Sequence, residues 1–168
     1  MKLTVQSLTA AAFAPFGSVL ARPTAAPTAE LSQGELRYWA DVVTVPDLGG
    51  PIGLGYATLA VRPFVQTCAE QHVHSPEVLQ PMGGDMIVVV GPPTPAGELP
   101  PLDRFAAFRV AHDQAVVLKP GVWHYAPFAI DRPMAFTVLL KAGTNRDDAI
   151  FAEFPKGEVI ELEVYWRS

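Results

Sequence analysis

Charge, cysteine and long apolar runs are all scarce in this sequence of 168 residues. Charged residues make up only 17% of the chain, and 12 Lys and Arg residues against 17 Asp and Glu residues give a net charge of -5. Because no basic cluster is present to attract phosphate backbones, nucleic-acid binding is disfavoured. The longest purely apolar runs, such as that from Met86 to Val90, are far shorter than the roughly 18 to 20 residues that a membrane-spanning helix needs. The sequence therefore predicts neither a nucleic-acid partner nor a membrane span.

The single cysteine, Cys68, cannot form an internal disulfide bond. This favours a reducing compartment, and we expect a cytoplasmic protein. A signal peptide is disfavoured because Gln6, Ser7 and Thr9 interrupt the amino-terminal apolar stretch and Pro15 cuts it again.

Proline and glycine, by contrast, are abundant. The 17 prolines and 13 glycines are spread along the chain and exclude long helices in most places. Thr9 is placed to cap one short helix over residues 10–16, which Gly17 would end. The remaining pattern predicts a single all-β domain over residues 1–168, of barrel or sandwich type. Its strands are predicted from β-branched and aromatic content at residues 18–21, 36–45, 53–61, 77–80, 85–90, 105–110, 115–118, 134–141 and 158–166.

Three of the four histidines fall in two short motifs. In an extended segment, residues two apart point to the same side, so His72 and His74 are expected to direct their imidazoles toward one point. Glu77 follows after a Ser-Pro bend, and a turn at Gly121 delivers His124. Three imidazoles and a carboxylate suit a divalent transition metal such as Ni, Zn, Mn or Fe. The alternative is that His72 and His74 form only a hydrogen-bonded pair on a strand.

The spacing of these motifs resembles the cupin pattern. In that pattern His-x-His, a carboxylate and a later glycine are followed by Gly-x-x-His. Here six residues separate Glu77 from Gly84, and Gly121 stands three positions before His124. One departure is that only two residues separate His74 from Glu77, where cupins usually have more.

Further segments surround these motifs: Glu70-Gln71-His72, Val78 to Met82 and Val88 to Val90, Gly121-Val122-Trp123-His124 with Pro127-Phe128-Ala129, Phe13, Phe16 and Gly17, and Arg37, Tyr38 and Asp41. Together they resemble the ureidoglycolate lyase family of allantoin breakdown, and the resemblance covers most of the chain. It implies an all-β, cupin-like barrel, usually a homodimer, that splits the small molecule ureidoglycolate into glyoxylate and urea.

This resemblance gives the histidines and their neighbouring carboxylates roles in the reaction. A metal held by His72, His74 and His124, with Glu77 as an oxygen ligand, would lower the pKa of the substrate hydroxyl as a Lewis acid. Either Glu77 or Glu70 would then shuttle the proton.

Three further residues are expected at the substrate. Lys141 or Arg37 would pair with the substrate carboxylate, which places Lys141 among the catalytic as well as the binding residues. Trp123, beside His124, would wall the pocket, although its ring also suits simple core packing.

The chain also departs from the family. Glu77 stands where the family has Gln, and His74 stands where better-known members have no histidine. Lys141 lies in a segment where members carry an acidic residue and Arg, and Lys cannot reproduce the bidentate grip of Arg. Two alternatives therefore stay open: another metal-dependent cupin enzyme, an isomerase or dioxygenase acting on a small polar acid, and a non-catalytic ligand-binding barrel. Asp147 and Asp148 are predicted to form a solvated turn.

Overall fold

Strands dominate the computed structural model, which describes residues 1–31 and 34–165. The elements in chain order are β1 (Lys2–Ser7), α1 (Ala10–Phe13), β2 (Gly17–Leu20), β3 (Ala29–Leu31), β4 (Leu36–Tyr38), β5 (Ile52–Leu59), β6 (Val65–Gln66), β7 (Cys68–His72), β8 (Glu77–Met82), β9 (Met86–Gly91), a 3-10 helix (Leu102–Arg104), β10 (Ala106–Val110), β11 (Ala115–Leu118), β12 (Trp123–His124), β13 (Phe128–Ala129), β14 (Met134–Lys141), α2 (Thr144–Asp147), β15 (Ala149–Glu153) and β16 (Ile160–Glu163). No helix in these described ranges is both long and apolar enough to cross a bilayer.

Two large sheets pack against each other. The larger follows the order β15-β7-β12-β9-β10-β1-β16-β6, with β13 also paired to β9, and the smaller follows β2-β11-β8-β14-β5. Strand β1 runs parallel to both β10 and β16, which joins the two ends of the chain in one sheet. Strands β3 and β4 form a separate hairpin. Two facing sheets around an internal cavity are the arrangement expected of a cupin-like barrel, and the all-β prediction is confirmed.

The apolar run Met86–Gly91 forms β9, which is buried on both faces. Met86, Val88 and Val90 enter the core between the two sheets. Ile87 and Val89 enter a second core on the outer face of the larger sheet. Because side chains alternate along a strand, burial on both faces requires an unbroken apolar run.

The predicted amino-terminal helix exists and is shorter than expected. Thr9 caps α1, and its hydroxyl oxygen accepts a hydrogen bond from the amide of Ala12 at 3.2 Å. The helix ends at Phe13 rather than at residue 16, because Pro15 has no amide hydrogen with which to continue the helical ladder. Gly17 opens β2 instead, where a Cβ atom would overlap the carbonyl oxygen of Val117.

Each of the nine predicted strand segments contains a strand. The segment 36–45 is reduced to β4, and the chain turns at Asp41, whose φ is 51°. The segment 158–166 is reduced to β16, and Trp166 lies outside the described residues. The predicted segments leave out β1, β3, β6, β7, β12, β13 and β15. Of these, β7, β12 and β15 border the cavity described next.

Candidate active site

A cavity of about 680 Å³ lies between the two large sheets. The smaller sheet contributes an apolar wall that includes Leu79, Phe136 and Val138. The polar lining residues come mainly from β7, β8, β12 and the chain next to them, and no lysine or arginine is among the described residues that line the cavity. Among them are Glu70, His72, Glu77, His124, Tyr125 and Asn145, and Tyr56 of β5 also lines the cavity.

Strand β7 supplies two of the polar groups from one face. Glu70 and His72 are two residues apart, so both point into the cavity. The alternate residues face the other way: Ala69 packs in the second core, and the Gln71 amide donates hydrogen bonds of 2.9 Å to the carbonyl oxygens of Thr94 and Gly121. The strand therefore separates a polar, cavity-facing side from a structural side.

Strand β12 brings His124 directly opposite Glu70. The register pairs His124 with Glu70 across β12 and β7, and the His124 Nε2 atom lies 3.7 Å from Glu70 Oε1. The turn before β12 needs glycine, since Gly121 has a φ of 83°. The Gly121 amide donates to the carbonyl oxygen of His72 at 2.6 Å, which ties this turn to the end of β7.

Backbone carbonyl groups orient both imidazole rings. His124 Nδ1 lies 3.0 Å from the carbonyl oxygen of Val122, and His72 Nδ1 lies 3.2 Å from that of Asp148. Because a carbonyl oxygen only accepts hydrogen bonds, we assign the hydrogen to Nδ1 in both rings. In the neutral rings, each Nε2 atom then offers a lone pair. This carbonyl support is the usual second contact of a metal-binding histidine.

A buried carboxylate faces both Nε2 atoms. Glu77 Oε2 lies 2.7 Å from His124 Nε2 and 3.6 Å from His72 Nε2. The 2.7 Å contact is an ion pair between two buried atoms, and neither atom makes a hydrogen bond to any other group in the described structure. Both buried atoms therefore depend on this one contact, and a metal ion would be an alternative partner for them.

The close packing of these charges shifts their pKa values. Burial alone would lower the pKa of His124, but the negative charges of Glu77 and Glu70 outweigh it and raise the pKa to about 9. Burial acts to raise the pKa of Glu77, but His124 and His72 more than compensate and lower it. The pKa of Glu70 is raised by burial, with a further contribution from the charge of Glu77. Without a metal, His124 is therefore an imidazolium and Glu77 a carboxylate at neutral pH.

The donor set fits a divalent ion. Glu70, His72 and His124 each present one ligand atom, and these atoms all lie within 4.8 Å of one another. Imidazole nitrogen and carboxylate oxygen are ligands that Zn, Mn, Fe and Ni accept. The cluster thus supports a divalent metal site.

Residues 1–160 match the family model described as ureidoglycolate lyase. The chain belongs to the ureidoglycolate lyase family. The ureidoglycolate lyase of Burkholderia cepacia is 30% identical over 170 residues, which cover 98% of this chain and 88% of that protein. The ureidoglycolate lyase of Stutzerimonas stutzeri (strain A1501) is 29% identical over 157 residues, covering 90% and 91%.

Solved structures resemble this ureidoglycolate lyase family member at low identity. A structure of Bacillus subtilis oxalate decarboxylase shares 17% identity, covers 64% of this chain and 25% of that chain, and has a TM-score of 0.41. RmlC from Streptococcus suis shares 11% identity, covers 54% and 43%, and has a TM-score of 0.40.

The structure does not bring His74 to the cluster. Strand β7 ends at His72, so the alternation assumed for His72 and His74 does not extend to His74. His74 is exposed, and its amide donates to Asp148 Oδ2 at 3.0 Å. The pair on one face of this family member is Glu70 and His72, with Glu70 in the place predicted for His74.

Three other predicted residues also lie away from the cavity. Trp123 is fully buried in the second core, because it alternates with His124 along β12, and its ring N–H donates to Thr94 Oγ1 at 2.6 Å. Arg37 lies exposed on the β3–β4 hairpin, paired with Glu30 at 3.5 Å. Lys141 is exposed at the end of β14 and is not among the lining residues.

Sequence reasoning missed three residues of this site. Tyr125 and Asn145 line the cavity, and the position of Tyr125 directly after His124 was an available signal. Asp148, predicted in a solvated turn, instead binds the chain next to His72 through its carboxylate. No local sequence pattern predicts this contact, because 76 positions separate Asp148 from His72.

Proposed function

We propose that this protein is a lyase that cleaves ureidoglycolate to glyoxylate and urea, using a divalent metal in the cavity. The observation that carries the proposal is the convergence of two carbonyl-anchored imidazoles and two carboxylates in one cavity of a ureidoglycolate lyase family member.

The reaction requires proton transfers and no redox chemistry. Ureidoglycolate carries a hydroxyl and a ureido nitrogen on one carbon atom. When a base removes the hydroxyl proton, the C=O bond of glyoxylate forms and the C–N bond breaks. The departing ureido nitrogen takes up a proton and leaves as urea, so one carboxylate can accept the first proton and return it as the second.

Two carboxylates are present, and we assign them different tasks. Glu77 has only 8% of its side chain exposed and contacts both Nε2 atoms, so with His72 and His124 it would hold the metal. A divalent ion there would supply Lewis-acid polarisation of the substrate hydroxyl. Glu70 also offers an oxygen to the cluster with His72 and His124, but 22% of its side chain is exposed and it lines the cavity, so we assign it to the substrate rather than to the metal. The raised pKa of Glu70 suits a carboxyl group that accepts the proton of the substrate hydroxyl and keeps it until it is returned to the ureido nitrogen.

Neutral groups complete the substrate contacts. We assign Tyr125 and Asn145 to hydrogen bonds with the carboxylate and the ureido group of the substrate. Both side chains are polar and uncharged, and both line the cavity. The proposed recognition by Lys141 or Arg37 would require these side chains to move from the positions described above, or to come from a second copy of the chain.

The first test is the rate of glyoxylate release from ureidoglycolate, corrected for spontaneous decay. We expect release by the purified protein, loss of release after a chelator, and recovery when one of Ni, Zn, Mn or Fe is added back. Release that is unaffected by the chelator would refute the metal role. No release above background with any of these metals would refute the activity.

A second test separates the two carboxylates. Glu70→Gln should keep the metal and lose turnover, since the proton carrier is gone. Glu77→Gln should weaken metal binding and lose activity as a consequence. If Glu70→Gln loses the metal while Glu77→Gln keeps it, the two assignments must be exchanged.

We also propose a cytoplasmic homodimer in which residues 1–168 act as one domain. The edge strand β5 leaves Ile52, Leu54 and Tyr56 63%, 75% and 69% exposed, beside the cavity. Edge strands with exposed apolar side chains are usually covered, and a second copy is the cover that the family resemblance implies. Light scattering gives the mass in solution, and a monomer at micromolar concentration would contradict the dimer.

A further inference from the structure

One carboxylate holds the chain that follows β7. Asp148 Oδ1 accepts a hydrogen bond from the amide of Val73 at 3.0 Å, and its Oδ2 accepts from the amides of His74 and Ser75, both at 3.0 Å. Because β7 has ended, these three successive N–H groups have no strand partner. A single ionised side chain satisfies all three with charge-assisted hydrogen bonds.

The backbone of the same residue holds the ring of His72. The Asp148 carbonyl oxygen lies 3.2 Å from His72 Nδ1, and the next residue, Ala149, pairs with His72 across β15 and β7. Asp148 thus contacts both the ring of His72 and the backbone beyond it.

The loop held in this way leads to the second side of the site. Ser75 is buried, and its hydroxyl oxygen accepts a hydrogen bond from the amide of Lys141 at 3.1 Å. The chain then enters β8 at Glu77. His72 and Glu77 are the first and last residues of this short connection, and their facing atoms lie 3.6 Å apart. A change in the loop would therefore alter the separation of the two groups.

We infer that Asp148 is a positioning residue: its backbone carbonyl sets the direction and tautomer of His72, and its carboxylate, through the loop, sets the distance from His72 to Glu77. The inference rests on the proposed function insofar as His72 binds a metal. Asp148 does not touch the reacting atoms and acts through His72 and the loop. Outer contacts of this kind tune metal affinity by about 10- to 100-fold when they are removed.

The neighbouring aspartate provides a matched control. Asp147 is exposed and pairs with Arg146 at 2.7 and 2.8 Å. Asp147→Asn removes the same charge one residue away without touching the loop. Asp148→Ala removes all three acceptor contacts, and Asp148→Asn keeps one acceptor oxygen and replaces the other with a donor group.

The experiment has one readout on the metal-free protein and one with metal. Nitrogen-15 NMR of the metal-free protein reports the His72 tautomer and the exchange of the three loop amides. We expect the Nδ1-H tautomer and protected amides in the wild type and in Asp147→Asn. Asp148→Ala keeps the backbone carbonyl that faces His72, so the tautomer should persist while the protection of the three amides is lost. Titration with Co²⁺ should then show about 10- to 100-fold weaker binding for Asp148→Ala, a smaller loss for Asp148→Asn, and no change for Asp147→Asn.

The two readouts keep the inference separate from the proposed function. If Asp148→Ala retains the amide protection, the inference is overturned whatever the metal does. If the wild type binds no Co²⁺, the proposed metal role fails, and the amide exchange still decides the role of Asp148. If Asp148→Ala does not fold, Asp148→Asn decides, because native spectra with unchanged amide exchange and Co²⁺ affinity in that variant would overturn the inference.

Discussion

Replacing Glu77 with glutamine in the metal-free protein tests the electrostatics of the cavity. The pKa of His124 is raised from 6.5 to about 9 in the folded protein, against the effect of burial, by Glu77 and Glu70. Folded protein therefore binds this proton more tightly than unfolded protein. The resulting stability is fully present below pH 6.5 and is lost as the pH rises through about 9.

The size of the effect follows from the same values. The difference between 6.5 and 9, at about 1.36 kcal/mol for each pH unit, corresponds to roughly 3 kcal/mol of unfolding free energy. For a chain of 168 residues, each kcal/mol changes the melting temperature by about 2–4 °C. We therefore expect the metal-free wild type to melt roughly 6–12 °C lower at about pH 9 than at about pH 6.

Glu77→Gln should remove most of this pH dependence. The charge 2.7 Å from His124 Nε2 is lost, and the remaining carboxylate, Glu70, is 3.7 Å away. Thermal unfolding in the presence of a chelator, at a series of pH values, measures the slope directly. His112→Gln is the matched control, because His112 is an exposed histidine outside the cavity. If the melting temperature of Glu77→Gln falls as much between about pH 6 and about pH 9 as that of the wild type does, the reasoning is refuted.

Three further predictions concern the metal and the fold. His124→Ala should lose bound metal and glyoxylate release together while circular dichroism stays native, and full activity in this variant would rule out His124 as a ligand. Asp85→Asn, which weakens the hydrogen bonds of 2.8 and 2.5 Å from Arg109, should cost about 1–3 kcal/mol in urea unfolding at neutral pH. Burial acts to raise the pKa of Asp85 but Arg109 lowers it overall, so this cost should fade in acid, and a cost independent of pH would contradict it. Gly17→Ala should cost about 1–3 kcal/mol, because its Cβ would overlap the carbonyl oxygen of Val117, and an unchanged urea midpoint would contradict that contact.

Much of the sheet structure was predictable because it depends on local patterns. The run from Met86 to Val90 needs burial on both faces, and its side chains do enter both cores. Thr9 was identified as a helix cap from its residue type and position, and its side chain makes the expected hydrogen bond. The length of the helix was harder to predict, because Pro15 and Gly17 are both residues that end helices and the sequence does not show which of them acts first.

The metal cluster was predicted in part, and the error is one of strand register. Alternation along an extended chain is correct for β7, but it applies to Glu70 and His72 rather than to His72 and His74. The end of β7 determines which pair shares a face, and strand ends are the part of a strand that local composition defines least. Glu77 and His124 both line the cavity, and each follows a bend or turn that the sequence indicates, at Ser75-Pro76 and at Gly121.

Residues assigned by chemical type alone were placed least well. Trp123 and His124 are adjacent, yet strand alternation sends one to the outer core and the other to the cavity. Asp148 shows the reverse case, since its carboxylate serves three amides far away in sequence and no neighbouring residue hints at it. Within a strand, proximity in sequence indicates a shared site only for residues that lie on the same face. Polar groups that support a site from behind depend on which strands become neighbours, and here the pairing of β15 with β7 is what brings Asp148 to His72.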